Sequence, residues 1–183
     1  MAKRYTDYPQ VFLALAFNSG VLVSMSNFLE ETESYFPSIG LLEYAPLYIA
    51  GVIWTIIYDT VYGHQDKKDD KKIGVRSLAL LWGSSTIKNC LDFQKLMFSI
   101  LVFHGLYYDF SFMYFPTLAL VYYYCAQILK NVKISKPESC YKYFQKMRIV
   151  GLLLMVTFAL GNQTTLKEYF KEEKQKMKQI LNN

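Results

Sequence analysis

Asp59, Asp66 and Asp70 stand at the edge of a long apolar run, within Tyr58-Asp59-Thr60-Val61-Tyr62-Gly63-His64-Gln65-Asp66-Lys67-Lys68-Asp69-Asp70-Lys71-Lys72-Ile73-Gly74-Val75-Arg76-Ser77. On one continuous helix, spacings of seven and four residues place all three carboxylates near one face. Like charges so arranged repel unless a cation sits among them. A hard cation such as Mg²⁺ suits oxygen donors and bridges carboxylates to substrate phosphates. Lys67, Lys68, Lys71, Lys72 and Arg76 add further contacts to phosphate oxygens. The chemistry this suggests is diphosphate binding. Taken alone, the Asp66–Lys72 charges fit a solvated linker with balanced charges better. Asp59 tips the reading towards function, because a carboxylate inside an apolar run is costly unless it has a task.

The elements that position these groups are apolar. Of 183 residues, 52% are hydrophobic, 17% aromatic and only 19% charged, with mean hydropathy +0.11. Soluble domains carry about 25% charged residues, and disordered chains are far less apolar. The fold class expected is all-α: a polytopic membrane bundle of about five helices, Tyr8–Phe28, Ile39–Tyr62, Leu91–Tyr108, Phe110–Leu129 and Met147–Asn162. The third and fourth are separated by Tyr108-Asp109-Phe110, a short hairpin turn. Gln10 and Asn18 in the first span and Asp59 in the second need partners, which places them towards a bundle interior or a wet cavity.

Charge gives the orientation. With alternating spans, one side collects the N-terminus, the 63–90 segment and the 130–146 loop, and with Lys95 and Arg148 at the span ends it holds 15 of the 20 Lys and Arg residues. The opposite loops hold none, and the first carries Glu30, Glu31 and Glu33. This is the positive-inside pattern, with the basic side in cytosol or mitochondrial matrix. The net charge of +5 comes from these clusters, so a nucleic-acid partner is not expected. Residues 1–162 form the transmembrane unit. Residues 163–183 read either as an amphipathic charged helix, with Leu166, Tyr169, Phe170, Met177, Ile180 and Leu181 at helical spacing, or as a solvated terminus.

Smaller features carry plainer readings. Cys90, Cys125 and Cys140 form no CxxC pair and are expected to be free apolar side chains. His64 is expected to face solvent from a loop, and His104 to bond another helix. Trp54 and the Tyr122-Tyr123-Tyr124 run are expected to pack or anchor rather than stack on a ligand.

The segment Tyr58-Asp59-Thr60-x-Tyr62-x-x-Gln65-Asp66-x-x-Asp69-Asp70-x-x-Ile73-Gly74-x-x-Ser77 resembles the second aspartate-rich motif of UbiA-type intramembrane prenyltransferases, in particular the 4-hydroxybenzoate polyprenyltransferase branch of ubiquinone biosynthesis. Lys3-Arg4-Tyr5-Thr6-x-x-Pro9-Gln10 followed by Leu15-Ala16-Phe17-Asn18 is similar to the stretch leading into that branch's fifth helix. Lys136-Pro137-Glu138-Ser139-Cys140, then Gly151 and Gly161-Asn162, resembles the approach to its last helix. The resemblance implies Mg²⁺ held on a polyprenyl diphosphate by two such motifs, and attack of an aromatic acceptor, 4-hydroxybenzoate, on the allylic cation. It makes Asp66 and Asp70 the metal carboxylates, with Asp59, Lys3, Arg4 and Lys72 on the substrate. It also implies a mitochondrial inner-membrane location with the motif on the matrix side.

The family has about nine spans and a first motif, N-D-x-x-D, for which this sequence offers no counterpart. The chain is therefore expected to be half of the nine-helix bundle, exposing Asp59, Asn18 and Gln10 on its open side. Two function classes compete. One is a structural or accessory subunit, inactive alone, within a larger membrane assembly of lipid and other membrane subunits, and this is the reading preferred here. The other is a polyprenyltransferase completed by a second chain or a further N-terminal segment.

Overall fold

The computed structural model describes residues 4–24 and 37–162, with side chains described for 4–24 and 45–162. Lys3, the Glu30–Glu33 cluster and the 163–183 tail lie outside the described residues. The element order is α1 (Pro9–Phe17), α2 (Pro37–Gly63), α3 (Lys67–Lys72), α4 (Leu78–Trp82), a 3-10 turn (Gly83–Ser85), α5 (Thr86–Tyr107), α6 (Tyr114–Lys130) and α7 (Pro137–Gly161). Helical turns resume over 19–24 after a break at Asn18, and no strand occurs among the described residues.

A helix occupies each of the five expected apolar stretches, but among the described residues only two, Ala45–Gly63 and Pro137–Gly161, are long and apolar enough to cross a membrane by themselves. Two spans are thus clearly apolar, and the expected count of five crossings is not confirmed. The reasons are local. The first turns of α5 carry Lys88, Asp92 and Lys95, and α6 has 17 residues, short of the roughly 20 that span hydrocarbon.

Helices α2, α5, α6 and α7 close into a ring, each packed on two neighbours, while α1 lies outside the ring against α2. Apolar residues three or four apart on each helix fill the centre: Ile53 and Ile57 from α2, Met97 and Leu101 from α5, Leu118 from α6 and Val150 from α7. At one end, the root of α2 meets the start of α7 through Tyr62 and Phe144, ring centroids 4.8 Å apart. At the other, Ser111 N–H donates to Gly161 O (2.9 Å) and its hydroxyl to Leu160 O (2.6 Å). These bonds satisfy carbonyls that the last turn of α7 would leave open. The basic loops 64–85 and 131–136 therefore gather at one end of the bundle.

The polar groups of α1 are satisfied within the chain, contrary to the expectation that they look out from an open side. Gln10 is 3% exposed, and its Oε1 accepts the Leu78 N–H at 3.1 Å. Asn18 Nδ2 donates to Thr55 Oγ1 (2.9 Å) and Ala14 O (2.8 Å). The α5–α6 turn is longer than expected, running from Tyr108 to Met113, with Asp109 in the left-handed region at φ 49°. Cys90, Cys125 and Cys140 are free and buried, as expected.

Below that turn Tyr114 is fully buried, donating its hydroxyl to Leu101 O at 3.0 Å. Its ring lies directly against the backbone of Gly105 and Gly161, and a Cβ on Gly161 would come within 2.9 Å of Tyr114 Cδ2. Glycine at both positions is what lets α5 and α7 approach this ring. Gly105→Ala is expected to destabilise by about 1–3 kcal/mol through overpacking, read as a lower melting temperature in detergent. Gly20→Ala, where open space awaits the methyl, is expected to leave it unchanged.

Candidate functional site

The candidate site grows from the C-terminal end of α2. The motif is not one helix. Helix α2 stops at Gly63, residues 64–66 turn, and α3 begins at Lys67. Asp59 and Asp66 therefore share no helix face, which corrects the premise of the spacing argument. Asp66 is the N-cap of α3, its carbonyl accepting the N–H groups of Asp69 (3.0 Å) and Asp70 (2.8 Å). The break has a visible cause in His64. Its ring is 5% exposed, with Nε2 2.9 Å from Thr86 Oγ1. The one hydroxyl proton of Thr86 goes to Gly83 O at 2.9 Å, which leaves Nε2 to donate to Thr86 Oγ1. Burial, helped by the Lys67 charge, pushes the His64 pKa down to about 4. The expected solvent-facing loop histidine is instead a buried tie between α2 and α5.

Residues 64–85 form an arm between α2 and α5, pinned at three points. His64 ties its root. Gln10 holds the first N–H of α4, and Arg76 Nη1 lies 3.9 Å from Asp7 Oδ2. Gly74 turns the chain at φ 71°. Ser77, extended at φ −161°, caps α4 by accepting the Leu80 N–H at 3.3 Å. The Gly74 and Ser77 positions of the motif thus have local tasks, a left-handed turn and a helix cap.

The expected site residues divide by exposure. Asp66 is exposed, Asp70 is 6% exposed, and Asp59 is half-buried on the last turns of α2. Lys72 is exposed and donates to Asp69 Oδ1 at 3.0 Å. Arg4 is exposed, on the stretch that Asp7 and Gln10 bind to the arm. The structure therefore brings the Arg4 stretch and the motif to one region. Among the described residues, no three His, Cys, Asp or Glu side chains converge as a metal cage. The donors nonetheless suit Mg²⁺ in its diphosphate-bound form, where one or two carboxylates join phosphate oxygens rather than enclosing the ion.

Sequence reasoning did not find the aromatic cavity beside this arm. A pocket of about 230 Å³ opens between α1, α2 and α7, lined by Phe17, Trp54, Tyr58, Phe144, Met147 and Arg148 among others. Trp54 meets Tyr58 edge-on at 6.2 Å, Tyr58 meets Phe144 at 5.7 Å, and Phe144 meets Tyr62 at 4.8 Å. This ladder runs from the cavity to the root of the arm. Its signal was the four-residue spacing of Trp54, Tyr58 and Tyr62. Trp54 also packs on Gly151, where a Cβ would sit 3.1 Å from its Cη2. His104 does not bond another helix through Nδ1, which has no partner among the described residues. It packs instead on Tyr108, Phe110 and Phe158.

The bovine (Bos taurus) protein named 4-hydroxybenzoate polyprenyltransferase, mitochondrial, is 37% identical over 174 residues, covering 95% of this chain and 45% of the relative. The rat (Rattus norvegicus) protein of that name is 38% identical over 162 residues, 88% of this chain and 41% of the relative. The Drosophila melanogaster one is 36% identical over 179 residues, 98% and 43%. The chain spans less than half the length of these relatives and corresponds to a C-terminal portion of them. No solved structure matches it. The model of the UbiA prenyltransferase family matches residues 1–157, and the chain belongs to that family.

Proposed function

We propose that this chain supplies the second aspartate-rich part of a 4-hydroxybenzoate polyprenyltransferase, in the mitochondrial inner membrane with the arm on the matrix side. The carrying observation is the placement of the Asp66–Asp70 arm at the end of an aromatic ladder that leads from an apolar cavity. In this reading the diphosphate lies against the arm, where Lys67, Lys68, Lys71 and Lys72 surround Asp66, Asp69 and Asp70 with compensating charge. Asp66 and Asp70 would hold Mg²⁺, which when bound offsets the charge that builds on the leaving diphosphate. Asp59, half-buried below, sustains the local field. Arg4 approaches from the stretch tied to the arm through Asp7 and Gln10.

The prenyl chain runs along the cavity. Phe17, Trp54, Tyr58 and Phe144 exclude water there, and their ring faces favour the cationic allylic carbon. The gathering of basic loops at one end and the mitochondrial names of the relatives support the matrix orientation. The accessory-subunit expectation draws no support from the fold or from the relatives, and partner subunits enter no step.

A fusion of the N-terminal portion of the bovine relative to this chain tests the reading. The expected result is Mg²⁺-dependent transfer of a prenyl group to 4-hydroxybenzoate in membranes. A fusion that inserts and folds yet transfers nothing from any prenyl diphosphate that the unaltered bovine enzyme accepts would overturn it.

A further inference from the structure

The opposite corner of the basic end holds a second concentration of positive charge that the transfer reaction does not use. Between positions 130 and 148 the chain has six Lys and Arg residues and a single acid, Glu138. Four of these cations, Lys133, Lys136, Lys142 and Lys146, line one cavity of about 320 Å³ where α6 hands over to α7, with Glu138 as the single carboxylate among its lining residues. None of the four takes part in an ion pair among the described residues, whereas Lys72, Arg76 and Lys95 each have a carboxylate. The loop that carries them is fixed, since Lys133 N–H donates to Ser139 Oγ at 3.0 Å.

The cavity is apolar on its bundle side, with Ile128, Val132 and the buried Tyr143. Lys142 and Lys146 also border a second depression that continues along α7 past Arg148 to Ile149 and Leu152, which are 50% and 60% exposed. Uncompensated cations over an apolar strip, at the end of a helix long enough to span a membrane, match a molecule with a phosphate above and hydrocarbon below. We infer that this corner binds the headgroup of an anionic phospholipid, with Lys133, Lys136, Lys142 and Lys146 on its phosphate and an acyl chain along Ile149 and Leu152. Each basic side chain near an anionic membrane surface adds to the attraction. The inference requires α7 to cross the membrane and is independent of any catalytic role.

The test is native mass spectrometry of the purified chain, released from nanodiscs of phosphatidylcholine doped with phosphatidylglycerol or cardiolipin. The wild type is expected to retain anionic lipid selectively. K133Q/K136Q/K142Q/K146Q is expected to retain it at least 10-fold less, and the corresponding four Lys→Arg changes to retain it. If the Gln variant does not fold, K142Q/K146Q is read in its place. Equal loss from K67Q/K68Q/K71Q/K72Q would overturn the inference by showing attraction to bulk charge. Displacement of the lipid by millimolar inorganic phosphate or diphosphate would overturn it in favour of a soluble anion, and equal retention of phosphatidylcholine would overturn it outright.

Discussion

Asp66→Asn and Asp70→Asn are each expected to lower prenyl transfer by the bovine fusion about 10³-fold, near 4 kcal/mol of barrier. Each change keeps the side-chain volume and removes one anionic oxygen donor from a site whose work is charge stabilisation. The two differ in what else they disturb. Asp66 is exposed, so Asn there alters the site with little effect on folding. Asp70 is 6% exposed, so its variant also loses stability, and melting in detergent separates that loss from the kinetic one. Asp92, exposed on α5 and paired with Lys95 at 2.8 Å, provides the control. Asp92→Asn breaks a surface pair of small worth and is expected to leave transfer within about twofold. A fall of less than about 10-fold with Asp66→Asn would place the reacting diphosphate elsewhere.

His64 is expected to make the fold acid-sensitive. Its ordinary pKa of 6.5 drops to about 4 in the folded chain because the ring is buried and Lys67 repels its charged form. Between these values the unfolded chain binds the proton and the folded one does not, so stability rises with pH across that window. The contribution is complete above about pH 6.5 and is lost progressively as the pH falls to about 4, at most about 3 kcal/mol in all. His64→Gln keeps an N–H for Thr86 Oγ1 and cannot titrate. The measurement is the difference in melting between wild type and variant from pH 7.5 to 4. An advantage of the wild type that shrinks on acidification agrees with the burial. A difference that stays constant with pH would mean the imidazole is solvated.

The motif from Tyr58 to Ser77 made the family legible, because its Asp, Gly and Ser residues together match the order of the family's second aspartate-rich motif. The helices were legible too, since long apolar runs admit little else. The break at 64–66 was not. Nothing in Gly63-His64-Gln65-Asp66 forbids a helix, and the interruption depends on a bond from His64 to a threonine 22 residues away. The burial of Gln10 was hidden for the same reason: its partner is a backbone N–H 68 residues further on. An amide in an apolar run signals that a partner exists without saying whether the chain itself provides it. The aromatic cavity was divided among three distant segments, so Phe144 and Tyr58 gave no sign of meeting until the helices were packed. The left-handed Asp109 lengthened a turn whose sequence reads as shorter.

The triple fastening of the arm through His64, Gln10 and Arg76 has a mechanical consequence. Two of the three latches end on the stretch from Asp7 to Gln10, so a swing of the arm away from that stretch would break both the Leu78–Gln10 bond and the Arg76–Asp7 pair. Any gating movement at the cavity mouth would haul the first helix along with the charged segment, sliding the pair across the flank of α2 as a single lever. Opening would then be felt on the outer side of α1, where Phe12 and Leu13 are exposed.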